Sequence, residues 1–176
     1  DSFQYYFIGL ESIEYSFAHI AEKDLVTGET IGISVALIIL ALVFGSVTSA
    51  IIPVILAVVA IFVSIGAVSI IGQLVDLNDF VPNIMTMMGL AVGIDYCLFI
   101  LSRYREERAN GFEKHDAIIN SGSTAGRAVM FSGLTVVLAL VGMFIIPEKT
   151  FQAFGVGAIV VVFVAVFAGV TLLPAL

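Results

Sequence analysis

Apolar residues in this chain come in long unbroken runs, not in alternation. Five such runs, at roughly 30–46, 53–74, 83–102, 129–146 and 151–173, are separated by short polar breaks. Several approach the ~20 residues that a helix rising ~1.5 Å per residue needs to cross ~30 Å of hydrocarbon. Their continuity argues against the strands of a transmembrane barrel, which alternate apolar and polar positions. The pattern predicts an all-α, polytopic transmembrane helical bundle of five spans.

Prolines mark the edges of several runs. Pro53 is placed in the first turn of the second span and Pro82 just before the third, while Pro147 ends the fourth and Pro174 the fifth. The first span has a softer edge. It is allowed to begin near Leu25, with Gly28 and Glu29 at headgroup level and the helix rising out of the bilayer. The opening segment, with Ile8, Ser12, Tyr15 and His19 in a partly amphipathic helical pattern, is expected to be the tail of an external domain. This divides the chain into residues 1–24 and a five-span domain over 25–176. The sequence opens without Met or a signal peptide, so a fragment of a longer protein is expected.

Composition turns the pattern into a solvent assignment. Of 176 residues, 60% are hydrophobic and 12% charged, with a mean hydropathy of +1.14; a water-soluble domain of this length carries about twice that charge. Arg103, Arg105, Arg108, Lys114 and Arg127 make up five of the seven basic residues and share one connection. Residues 103–128 are therefore expected in the cytoplasm, in a cell inner or plasma membrane. Residues 1–24, the Asp76–Asp79 loop and the turn at Glu148 then lie outside, and the Gly45–Ser49 turn lies inside. Within residues 112–118, a short amphipathic helix is expected on the inner surface. The net charge of −7 belongs mostly to the outer segments and points to no nucleic-acid partner. Cys97 is alone, and His19 and His115 stand in polar settings with no ligand at metal spacing, so neither a disulfide nor a metal site is expected.

The third run breaks its own rule. GLAVGIDYCLFILSRYREER places Asp95 about 18 Å along the helix from Asn83 and about 12 Å from Arg103, near the midplane. A charge there costs about 2.5–3.5 kcal/mol on insertion scales, so the acid should face helices or water. Two readings stay open: a neutral acid that only joins helices, and a group that takes up and releases protons. Tyr96 is about 100° further round the helix, near enough to share an interhelical cavity with Asp95. Gly89 and Gly93 form GxxxG, a close-packing stripe. In the fourth run Ser132 and Thr135 offer hydroxyls on one face, or bond their own backbone.

These residues carry a resemblance. GIDY followed by SRYREE resembles the fourth-helix signature of the MmpL-type transporters in the resistance–nodulation–division (RND) superfamily. LVFGSVTSAIIPV, AGRAVMFSGLTV and FGVGAIVVVFVAVFAGVTLLPAL resemble its flanking helices in the same order. The five spans would be helices two to six of one membrane half, the N-terminal one. The resemblance implies an exporter of lipids or other hydrophobic molecules, driven by the proton-motive force. Asp95 and Tyr96 would form the proton relay with Ser132 close by, paired with a second half and coupled to an external porter domain. Protons would be the coupling ion and no cofactor is implied; cargo is not readable. A sterol-sensing-type lipid-binding or regulatory domain without proton coupling is the alternative. An intramembrane aspartyl protease needs a second embedded Asp, and a serine protease needs a His in a span, so an enzyme is not expected. A purely structural subunit is the remaining reading.

Overall fold

The computed structural model describes residues 10–45, 47–73, 77 and 80–176. Six α-helices follow in order: α1 (Leu10–Phe44), α2 (Val47–Ile71), α3 (Val81–Ala109), α4 (Lys114–Ser121), α5 (Arg127–Val141) and α6 (Lys149–Ala175). A π-helical turn, Gly122–Gly126, joins α4 to α5, and a 3-10 turn, Gly142–Ile145, follows α5. Five helical stretches are long and apolar enough to cross a membrane, in agreement with the five runs. The described residues contain no strand.

The first helix is longer than its apolar run. α1 has 35 residues, about 52 Å, so its first turns must project beyond ~30 Å of hydrocarbon. It passes without a break through residues 24 and 25. Ile8 lies outside the described residues, as do the side chains of Ser12, Tyr15 and His19. α1 ends where Gly45 takes a left-handed φ of 60°, the backbone turn that stops a helix and that glycine adopts at no steric cost.

Two expectations are corrected. Pro53 does not open the second helix: α2 begins at Val47 and Pro53 sits inside it, buried. Proline this near a helix start removes one hydrogen bond, the one to the Ser49 carbonyl, and membrane helices absorb that loss. The surface helix expected over residues 112–118 does not stand apart either. α4 starts at Lys114, buries Ala117, and runs through the π turn into α5, so Lys114–Ile145 is one helical stretch. Pro82 is in the first turn of α3, and Pro147 and Pro174 lie at the ends expected of them. Asp76 and Asp79 lie outside the described residues.

The core is built by α2, α3 and α6, with α5 against α6 and α1 at the margin. Of the most apolar windows, 44% of the residues are buried in α6 and only 6% in the Leu25–Leu42 part of α1, so that part of α1 presents most of its surface outward. On α3 the buried positions Val81, Met85, Gly89, Gly93, Cys97 and Ile100 form one stripe at helical spacing. Two of its glycines set the interhelical distance. A Cβ at Gly93 would lie 2.9 Å from the Ala57 Cβ, and one at Gly89 would lie 2.5 Å from Ile61 Cγ1 and 2.9 Å from Val161 Cγ2. Only a bare backbone lets α3 approach α2 and α6 this closely.

Candidate functional site

Asp95 follows Gly93 by two residues, a rotation of about 200°. With Gly93 turned into the core, Asp95 is turned out of it. The carboxylate is exposed, in line with Met87, Ala91, Phe99 and Ser102 on the same face of α3. It lines a groove of about 700 Å³ between α1 and α3, formed by Gly28, Glu29, Gly32 and Ala36 on one wall and Leu90, Ala91 and Ile94 on the other. The groove is apolar except near its two acids.

Glu29, expected at headgroup level, lines the groove. Its carboxylate accepts a hydrogen bond from the Thr86 hydroxyl, a bond between α1 and α3. That hydroxyl also lies 2.9 Å from the carbonyl of Asn83. Thr86 precedes Asp95 by nine residues, so the two acids stand about 14 Å apart in depth. The sequence reading missed this partnership, although the spacing Gly28, Gly32, Ala36 marks a flat face of α1 that could have signalled it.

Tyr96 does not line the groove. It is half-buried and packs with Cys97, Ile100, Ala125 and Val129, its ring Cε2 3.7 Å from the place a Cβ on Gly133 would take. The ring therefore leans on α5, while Asp95 opens toward α1. Ser132 is exposed on α5, one residue before Gly133. Among the described residues no hydrogen bond joins Asp95, Tyr96 and Ser132. Thr135 donates to the Phe131 carbonyl at 2.9 Å, bonding its own helix.

The basic end of α3 is more ordered than a solvated loop. Arg103 contacts Glu106 at 2.6 Å and Glu107 at 2.7 Å, and Glu107 is buried, with the Asn120 amide of α4 donating to it at 3.4 Å. Arg108 donates to the Phe112 carbonyl at 2.9 Å. At the opposite end, Glu148 caps α6: its carboxylate accepts from the Phe151 backbone N–H at 3.2 Å and from the Thr150 hydroxyl at 3.0 Å. The Thr150 hydroxyl first, and the backbone groups after it, hold the Glu148 carboxyl below its ordinary range. Among the described residues no three His, Cys, Asp or Glu side chains come together as a metal site.

The geometry is that of a packed helical face with an acid on its open side, and known proteins share the sequence behind it. The chain is 36% identical over 98% of its length to the mycolic acid-containing lipids exporter MmpL11 of Mycolicibacterium smegmatis, covering 18% of that protein. It is 41% identical over 84% of its length to the membrane protein YdfJ of Bacillus subtilis, covering 20% of it. It is 35% identical over 97% of its length to the heme uptake protein MmpL11 of Mycobacterium tuberculosis, covering 18% of it. The chain thus spans about a fifth of the length of the curated relatives it matches. The family model described as the MMPL family matches residues 5–176, and this multi-pass membrane chain belongs to the MMPL family of RND-type transporters.

Proposed function

We propose that this chain is the membrane half-domain of a proton-motive-force-driven exporter of lipids or other hydrophobic molecules, with Asp95 as proton carrier and Tyr96 and Ser132 as further members of the proton relay. One observation carries the reading: Asp95 is mid-span, exposed, and without a hydrogen-bond partner among the described residues. An acid kept only to join helices of this bundle would have its partner here. An acid left bare toward lipid would be costly, so another part of the intact protein must cover it, and the face shared by Met87, Ala91, Asp95 and Phe99 is where a second membrane half would seat. Ionised, the carboxylate only accepts hydrogen bonds; protonated, it can donate one and sheds its charge. Two proton occupancies then favour two packings, which is what coupling requires.

Relatives named for mycolic acid-containing lipids and for heme both handle large hydrophobic molecules, which supports that cargo class. The apolar groove favours a second reading, a sterol-sensing-type lipid-binding domain without proton coupling. Asp95→Asn separates the two, because it keeps the shape and cannot titrate in the physiological range. In the intact protein the variant should insert at normal levels and lose export. Full, pH-dependent export by Asp95→Asn would leave the acid a structural group and the proton reading untenable.

A further inference from the structure

We propose that the groove between α5 and α6 holds one acyl chain of an anionic membrane phospholipid, with the lipid phosphate against the Arg127 guanidinium. The groove has a volume of about 400 Å³, with Arg127, Phe131 and Leu134 among its residues on α5 and Phe163, Val166 and Phe167 on α6. Gly133 makes its floor: a Cβ there would collide with the Val166 side chain, so the two helices meet closely and leave a trough over the contact. Phe163 and Phe167, both exposed, form one wall, with ring centroids 4.9 Å apart. Arg127 is the one charged side chain among the described residues that line the trough. It is exposed, at the end where the basic connection enters the bundle, and has no hydrogen bond or ion pair among the described residues.

Length, charge and position select the occupant. Arg127 and Val137 line opposite ends of the trough, ten residues or about 15 Å apart along α5, which is half of the ~30 Å of hydrocarbon. That is the depth of one leaflet's acyl chains. A cation at headgroup level with an apolar trough running inward from it matches one lipid molecule, headgroup and tail together. A guanidinium fork grips phosphate oxygens in pairs, and basic sites beside membrane helices favour anionic headgroups. A zwitterionic phosphocholine would bring its own cation toward Arg127. Phe131 and Gly133 flank Ser132, each about 100° from it round the helix, so Ser132 is on the side of α5 turned away from the trough. A second membrane half seated on α3 and reaching Ser132 would leave the trough to lipid.

The test uses the intact protein in nanodiscs of phosphatidylcholine carrying a trace of phosphatidylglycerol with a diazirine on its acyl chain. Photolysis followed by peptide mass spectrometry should place crosslinks in residues 130–137 and 163–167. Unlabelled phosphatidylglycerol should compete for them better than added phosphatidylcholine does. Arg127→Gln should cut that preference about fivefold, Arg127→Lys should retain part of it, and Lys114→Gln, outside the groove, should leave it unchanged. Absence of crosslinks from both segments, as when another helix of the intact protein fills the trough, overturns the proposal. So does crosslinking no denser there than along the other spans, equal competition by the two lipids, or an undiminished preference in Arg127→Gln. No transport is measured, so none of these outcomes bears on the export reading.

Discussion

At the scale of single residues, the same side-chain class has opposite consequences on opposite faces of a helix. Gly93 and Gly89 face Ala57, Ile61 and Val161 with no room for a methyl group, whereas a Cβ on Gly66 of α2 would meet nothing within 4 Å. Gly93→Leu should therefore destabilise the protein by about 1–3 kcal/mol through overpacking. Gly66→Ala should stabilise it by up to about 1 kcal/mol through helix propensity alone. Thermal unfolding of the intact protein in detergent checks both, and equal melting shifts for the two variants would refute the close approach. Asp95 was legible in the sequence because an acid inside an apolar run needs no context to stand out. The side to which it points was not. Helix α3 is apolar nearly all round, so periodicity marks no face, and only the two glycines hinted at which side is packed. Tyr96, about 100° from Asp95, was accordingly expected in the same cavity, and instead it leans on α5.

At the scale of elements, boundaries followed from proline and glycine where those residues lie at chain reversals, and failed where a helix overruns its apolar run. Val47, Thr48 and Ser49 read as turn residues, yet Gly45 had already reversed the chain and α2 starts before Pro53. α4 and α5 read as two elements because polar residues separate them, and the π turn joins them through backbone bonds that composition does not encode. The start of α6 offers a measurable consequence. Glu148 has its carboxyl held below an ordinary value of about 4.5 by the Thr150 hydroxyl and the Phe151 N–H. Its folded value is depressed, so its contribution is present above the unfolded value and is lost as pH falls through the folded one. Glu148→Gln should flatten the acid-side decline in melting temperature below about pH 4.5 and leave the neutral-pH slope unchanged. The side chain is exposed, so the effect should shrink in high salt. An identical acid limb in the variant would mean that the cap does not form.

At the scale of the whole molecule, five membrane-crossing helices were legible because lipid permits few solutions: every backbone polar group must be paired inside its own helix. The arrangement of those helices was less so. Hydropathy does not say that α2, α3 and α6 form the core, that α1 stands at the margin with 6% of its apolar window buried, or that Glu29 and Asp95 share a groove. Those outcomes depend on which small residues meet which, a pairwise property that a single apolar run does not display. Exposed apolar side chains such as Leu42 on α1, Phe99 on α3, and Phe131 and Leu138 on α5 suit those faces to lipid or to further helices, and the chain spans about a fifth of its relatives. The proposed function requires that protons cross this body through Asp95. The direct measurement is proton flux by the intact protein in liposomes under an imposed pH gradient, followed with an entrapped pH dye, for the wild type and for Asp95→Asn reconstituted in equal amounts. Cargo-stimulated flux is expected in the wild type and none above the lipid leak in Asp95→Asn, whereas equal flux through both would contradict proton carriage by Asp95.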